Sequence, residues 1–441
     1  MDSVWTVSAQ LPSFKPLKEE IQTEVLIVGG GLAGLLCAYH MAQAGVDVVL
    51  VEADTICSGI TKNTTAKVTF QHGLIYDELI RKMGLEKTKL YLEVNRNALQ
   101  RYRALCRDID CDFEEQDAFV YALHDRHKID KELEALQRLN LNATFEKDLP
   151  LPFPVAGAVK FPNQTQFHPL KFAAGIADGL KIHEHTRVRE LAPGKAVTDR
   201  GTISAEKIIV ATHFPMLNKH GGYFIKLYQD RSYVLALKHA PSFDGMYLDE
   251  NEKGLSFRRY GDMLLLGGGS HRSGKRGGNW HELEQFAKKH YPDAEIACRW
   301  ATQDCMTLDR VPYIGRYAKN TPDLFVAAGF NKWGMTSSMA AADILTDLAL
   351  GKPNPYADVF DPSRSMLHPQ LFVNAAESVI HLLTPTAPRC PHMGCALKYN
   401  KAEHSWDCPC HGSRFAEDGT LIDNPANDDK RMRSDPARKA A

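Results

Sequence analysis

Four residues near the end of the sequence have the types and the spacing to hold metal. Cys390 and His392 lie in CPHMGC, and Cys408 and His411 lie in CPCHGS. Each loop offers one thiolate and one imidazole, and 15 residues separate His392 from Cys408. A Cys/His set of this size can hold zinc tetrahedrally, although zinc fingers usually pair Cys with Cys and His with His. Mixed loops suit a binuclear centre, in which one iron takes both thiolates and the other both imidazoles, because each loop then straddles the two metals. Gly394 and Gly412 allow the tight turns such loops need.

A second set of residues suits a dinucleotide. Gly29, Gly31 and Gly34 form GxGxxG around Leu32 and Ala33, and Glu52 follows at the end of the next apolar run, with Ala53 beside it. The glycines let the backbone approach a pyrophosphate at a helix N-terminus, and an acid at this distance meets a ribose hydroxyl. The motif is weak by itself. It gains weight here because EVLIV, GGGLAG, LLCAYHMAQA and VDVVLVE read as strand, turn, helix and strand in register.

The polar loop SGITKNTTAKVTFQHG after Glu52 favours FAD over NAD. With GGGLAG, IIVATHFP and AAGFNKWGMTSS, this order of elements resembles the D-amino-acid oxidase and glycine oxidase family of flavoproteins over about residues 22–350. The resemblance implies FAD held by the glycine turn and Glu52, by Ser58, Gly59, Thr64, Thr65, Ala66, Lys67 and Val68 of the loop, and by Ala211 and Thr212. It extends to Gly329, Lys332, Trp333, Gly334, Met335 and Thr336 in GFNKWGMT, where a helix N-terminus would face the anionic edge of a reduced flavin. Cys305 is at the wrong offset from TLD for a covalent flavin link.

CPHMGC with CPCHGS closely resembles the Rieske 2Fe–2S motif, including its disulfide variant, which implies ligation by Cys390, His392, Cys408 and His411 and a bridge between Cys395 and Cys410. Free thiols at 395 and 410 remain the alternative, since disulfides are unusual in the cytoplasm. Phe415 stands where relatives of high potential carry a tyrosine, so Ser413 is expected to donate to a bridging sulfide while one hydrogen bond is lost. The imidazole edges are expected to face the electron partner.

These motifs require an α/β fold: a Rossmann-like FAD-binding domain, an interleaved α+β substrate domain and a small, truncated all-β Rieske-type domain at the C-terminus. The strands KIIVATH and LFVAAGF return to the first sheet from distant sequence. The expected division is 1–76, 150–222 and 300–350 for FAD, 77–149 and 223–299 for substrate, 351–388 as a connecting arm, 389–428 for the cluster and 429–441 as a mobile tail. About 55 residues cannot bury much alone, so the cluster module is expected to lean on the body.

The 441 residues carry 53 Lys and Arg against 54 Asp and Glu, which gives no electrostatic reason to expect nucleic acid. No apolar run reaches the length of a membrane span and the start is polar, so the expected location is the cytoplasm. The resemblance implies a dehydrogenase oxidising an amine or amino-acid C–N bond. Electrons would pass from FAD one at a time through the cluster to a carrier protein or a quinone-like acceptor. A reductase running the other way and a non-catalytic redox sensor are the alternatives. Candidate substrate contacts are Arg231, Tyr233, Arg258, Arg259, Tyr260 and His72.

Overall fold

The computed structural model describes residues 2–217, 219–385 and 388–430. Ile21–Val28 is the central strand of the first sheet, because its inner residues are apolar on both faces and a strand of that kind needs cover on both sides. It runs parallel to Val48–Val51 on one side and to Thr202–Val210 on the other. Lys181–His183 extends the first edge. Leu324–Ala328 extends the second in parallel, and antiparallel Tyr313–Arg316 closes it. The expected returning strands are thus both in this sheet.

The glycine turn follows the central strand and opens the helix Leu32–Gln43. Gly29 has φ 112°, and a Cβ there would lie 2.6 Å from the Ala211 carbonyl oxygen; a Cβ on Gly34 would lie 1.9 Å from that of Gly29. Only glycine lets helix and strands close at this distance. The helix Gly334–Ala349 packs beside Leu32–Gln43.

A nine-stranded mixed sheet forms the second layer. Leu227–Lys238 sits between Glu295–Thr307 and Met263–Arg272, and Glu114–Ala122 and Gly157–Gln166 lie toward the other edge. Lys67–Val68, from the loop after Glu52, joins this sheet beside Gly157–Gln166, so the loop ties the two layers together. The segment expected to be a connecting arm, 351–388, includes the 15-residue helix Pro369–Leu383, begun by Pro at its first turn. The C-terminal sheet has four strands, Lys398–Asn400, Ser405–Asp407, Arg414–Ala416 and Leu421–Asp423. Most of the expected tail, from 431 onward, lies outside the described residues.

Candidate functional site

One cavity of about 630 Å³ runs along the seam of the two large sheets, in the size range of cofactor and ligand sites. Gly29, Gly31, Leu32, Ala33, Glu52 and Ala53 line one end. Ser58, Gly59, Thr64, Thr65 and Lys67 continue the wall, as do Ala211 and Thr212. Gly329, Lys332, Trp333, Gly334 and Met335 line it where the helix Gly334–Ala349 begins, so that helix N-terminus opens on the cavity. Glu52 accepts from the backbone N–H of Gly30 at 2.6 Å and of Asp54 at 3.0 Å, which fixes its carboxylate, although burial pushes its pKa up. Burial, with Arg258 nearby, brings the Lys67 amine down to about 7.

Four expected residues stand behind the wall instead of on it. Gly34 is used in packing, Ala66 and Val68 are fully buried in the core, and the Thr336 hydroxyl meets His72 Nε2 at 2.9 Å. His72 is itself buried, bonded through Nδ1 to the Tyr91 hydroxyl at 2.6 Å and stacked on Trp333 at 4.9 Å. Burial lowers its pKa to about 3, so it is a neutral prop for Trp333.

The arginines expected to clamp a substrate carboxylate have other partners. Arg258 donates to the Thr65 and Ala66 carbonyls and so pins the loop. Arg231 ion-pairs with Glu403 of the C-terminal module. Arg259 reaches Glu114 at 3.5 Å, and the Tyr260 hydroxyl donates to Asp112 at 3.0 Å. Tyr233 lines the cavity, yet its hydroxyl donates to Glu403 at 2.9 Å. A guanidinium reads as a ligand clamp in a sequence whenever its internal acid lies far away in the chain.

The sequence reading missed Asp304, which lines the cavity opposite Asp230 across the strand pair. Burial raises both carboxyls, that of Asp304 to about 6, while Lys332 pulls against the shift. The signal was present as a repeated Gln-Asp dipeptide, Gln229-Asp230 and Gln303-Asp304. The two glutamines turn the other way: Gln229 Nε2 donates to the His411 carbonyl and Gln303 Nε2 to that of Gly412, each at 2.9 Å. Also missed was the far wall of the cavity, where residues 420–427 of the C-terminal module face it.

In that module Cys390, Cys408 and His411 are buried and gathered together. The rings of His392 and His411 lie 4.8 Å apart, and both meet Phe214 edge-on at 6.3 and 6.2 Å. Phe214 of the body thus lies against both rings and Phe224 against that of His411, while His392 stays half-buried. The Cys395, Cys408 and Cys410 sulfurs lie within 4.8 Å of one another. Cys395 and Cys410 are free, so the expected bridge is not made; a disulfide needs the sulfurs at about 2.05 Å. Hydrogen bonds from Cys390, Cys395 and Cys410 hold the Cys408 thiol well below its ordinary pKa, against the effect of burial. Burial raises the Cys305 thiol, which leaves it inert.

A family described as "FAD dependent oxidoreductase" matches residues 24–348. The chain belongs to the FAD dependent oxidoreductase family. A second family, "Rieske [2Fe-2S] domain", matches residues 371–434, which takes in the helix Pro369–Leu383 almost whole. YhfW of Bacillus subtilis (strain 168), described as a Rieske 2Fe-2S iron-sulfur protein, is 35% identical, with 96% of each chain covered. Gamma-glutamylputrescine oxidoreductase of Escherichia coli (strain K12) is 26% identical over 80% of this chain and 89% of its own. Glycine oxidase from Geobacillus kaustophilus shares the fold, with a TM-score of 0.63 and 21% identity over 78% of this chain and 99% of that one.

This FAD dependent oxidoreductase thus takes two cofactors, FAD and a Rieske 2Fe–2S cluster. The residues present fit both. The cavity wall at Gly31 and Gly59 is open, with nothing nearer than 3.5 Å to a Cβ at either. Among the described residues neither ring nitrogen of the buried His411 has a hydrogen-bond partner of normal geometry, which suits it to a metal ligand. Among the described residues no helix is long and apolar enough to cross a membrane.

Proposed function

We propose that the protein is a dehydrogenase that oxidises the C–N bond of an amine or amino acid and sends the electrons out singly, by way of the C-terminal module, to a one-electron carrier protein or quinone-like acceptor. The observation that carries this reading is the shared cavity: the glycine turn at one end and residues 420–427 of the cluster module at the other border the same space. Thr212 and His213 line it, and the next residue, Phe214, touches both imidazoles. A bound flavin supplies two-electron, hydride-type acceptance and the cluster one-electron carriage.

Within this reading Gly29, Gly31 and Glu52 would hold the dinucleotide, and the N–H groups of Gly334 and Met335 would stabilise negative charge on the ring. Cys390 and Cys408 would take one iron, and His392 and His411 the other. Asp304 on the cavity wall would meet a cationic nitrogen, with Asp230 paired opposite it, and Lys332, 3.4 Å from Ser232 Oγ, would set their charge. The names of two similar proteins, one for gamma-glutamylputrescine and one for glycine, support a C–N substrate.

The test is anaerobic mixing with a panel of amines and amino acids. The expected result is bleaching of the flavin absorbance followed by the electron-paramagnetic signal of a reduced Rieske centre. Bleaching by reduced ferredoxin, with none by any amine, would reverse the direction of flow and overturn the proposal.

A further inference from the structure

The helix Pro369–Leu383 is built inside out. Its polar residues face the protein: Asn374 is buried and accepts from Arg272 at 2.9 Å, and Glu377 pairs with Lys275 at 2.7 Å. The His381 carbonyl accepts from Ala396 N at 2.9 Å, beside the cluster loop. Its apolar residues face water, with Phe372 at 64%, Val379 and Ile380 at 55% and Leu383 at 76% exposure. With Val373 at 47% and Leu382 at 45% they form a stripe that leaves most of one side of the helix apolar and uncovered, and a contiguous exposed apolar surface rimmed by polar residues marks an interaction face.

The spacing of the stripe identifies what covers it. Exposed positions 369, 372, 376, 379 and 383 follow the three-four repeat of a helix that packs along another helix. They are also symmetric about Ala376: Phe372 mirrors Ile380, Val373 mirrors Val379, and Pro369 mirrors Leu383. Two antiparallel copies related by a twofold axis through Ala376 would place each residue against its mirror, which is what an isologous contact requires. The small side chain of Ala376 at the axis lets the helices approach closely. The helix holds neither Lys nor Arg, unlike a helix seated on a bilayer, and its stripe has no charge to steer a transient redox partner.

We propose that this face is a twofold interface with a second copy of the chain, formed by antiparallel pairing of the two Pro369–Leu383 helices. The pairing brings the two cluster modules side by side, because the inner face of each helix lies on the cluster loops.

The experiment is sedimentation of the full-length holoprotein at micromolar concentration, expected to give the mass of two chains. Ala376→Arg should give the mass of one chain with flavin and cluster absorbance unchanged. Ala376→Cys should link two chains on mild oxidation, reversibly with dithiothreitol, whereas Val7→Cys, exposed elsewhere, should not. If Ala376→Arg loses its cofactors, the cysteine linkage decides alone. A one-chain mass for the unaltered protein overturns the proposal, and if that monomer sediments with phosphatidylcholine vesicles the stripe belongs to a bilayer instead. Two chains that Ala376→Cys fails to link also overturn it.

Discussion

The flavin-binding body closes its core with aliphatic and aromatic side chains from two sheets and their helices, among them Ile27, Leu35, Leu50, Ile209, Phe325 and Leu345. The C-terminal module has strands of three residues and buries mainly Cys390, Cys395, Cys408 and Cys410 with Leu397, Phe415 and Ala426. Burying a Leu or Phe contributes about 1.5–3 kcal/mol, and ordering a residue costs about 1–2 kcal/mol, so two large apolar residues cannot fold such a module. Contacts with the body, such as Gln229 and Gln303 on the His411 and Gly412 carbonyls and Arg231 on Glu403, make up part of the shortfall, and metal ligation would supply the rest. The difference teaches that the same polypeptide uses a self-sufficient core for one cofactor and borrowed surface for the other.

The widest separation between the regions should follow loss of the cluster. Cys408→Ala is expected to abolish the Rieske paramagnetic signal completely while flavin absorbance and the melting of the body stay within a few degrees of the unaltered protein. Loss of FAD as well would show that the two regions do not fold separately.

Next in size is the charged seam. Glu403 lies between Arg231 of the body and Arg414 of the module, with side chains 7%, 3% and 6% exposed. Arg414 also pairs with Asp407 and Asp423 at 3.0 Å. Burial alone would raise the Glu403 carboxyl, but the two guanidinium groups hold it down at about 2. Glu403→Ala leaves Asp423, 3.8 Å from Arg231 and 3.0 Å from Arg414, as the carboxylate between them, and should cost about 3 kcal/mol of docking stability, the low end for breaking a buried pair. Limited proteolysis should then release the module and leave the body intact. Because the folded pKa is below the ordinary 4.5, this stability is complete above about 4.5 and is lost as pH falls toward 2. Acid titration followed at the cluster absorbance should show that loss, with the flavin leaving only later.

The body breaks its own pattern at Asp230 and Asp304, paired across two strands and with no ion pair among the described residues. Asp304→Asn is expected to raise the KM of an amine substrate on the order of tenfold by removing a charged contact. Unaltered protein should bind a cation more weakly as pH drops through about 6, and the Asn variant should lack that dependence. The stability effect has the opposite sign from that of Glu403. The folded chain binds this proton more tightly than the unfolded one, so stability falls as pH rises from about 4 to about 6. Denaturation with urea across that window would measure the slope, which Asp304→Asn should flatten.

The two regions also differed in how plainly they were written. GxGxxG, Glu52 and the returning strands are local patterns whose spacing reflects backbone geometry, so sheet and turn were legible. CPHMGC and CPCHGS were legible for the same reason, since metal ligands crowd into short loops. Arg231 and Arg258 were misread because their acceptors, Glu403 and the Thr65 carbonyl, lie 172 and 193 residues away. The contact of the imidazoles with Phe214 depends on docking of the module, as does the cavity wall at 420–427; neither leaves a periodic trace. The helix Pro369–Leu383 was hidden by the prolines around it, although its own fifteen residues hold only the one at its first position.

The smallest expected effect is also the finest probe of how the module treats its cluster. Phe415 is fully buried in one cluster with Cys390 and Cys408 and pairs with Trp406 across the strands, at the place where the resemblance led to the expectation of a lost tyrosine hydroxyl. Ser413 Oγ accepts from Ala426 N at 2.9 Å, which orients the hydroxyl and leaves its proton free for a sulfur. One donor is therefore supplied and one is withheld. Each hydrogen bond to a sulfur stabilises the more negative, reduced cluster, so Phe415→Tyr should raise the reduction potential and Ser413→Ala should lower it. Redox titration followed by the paramagnetic signal would measure both. A Tyr variant with an unchanged potential would mean that the body, through Gln229 and Gln303 on the ligand loop, fixes the potential more firmly than the module's own side chains do.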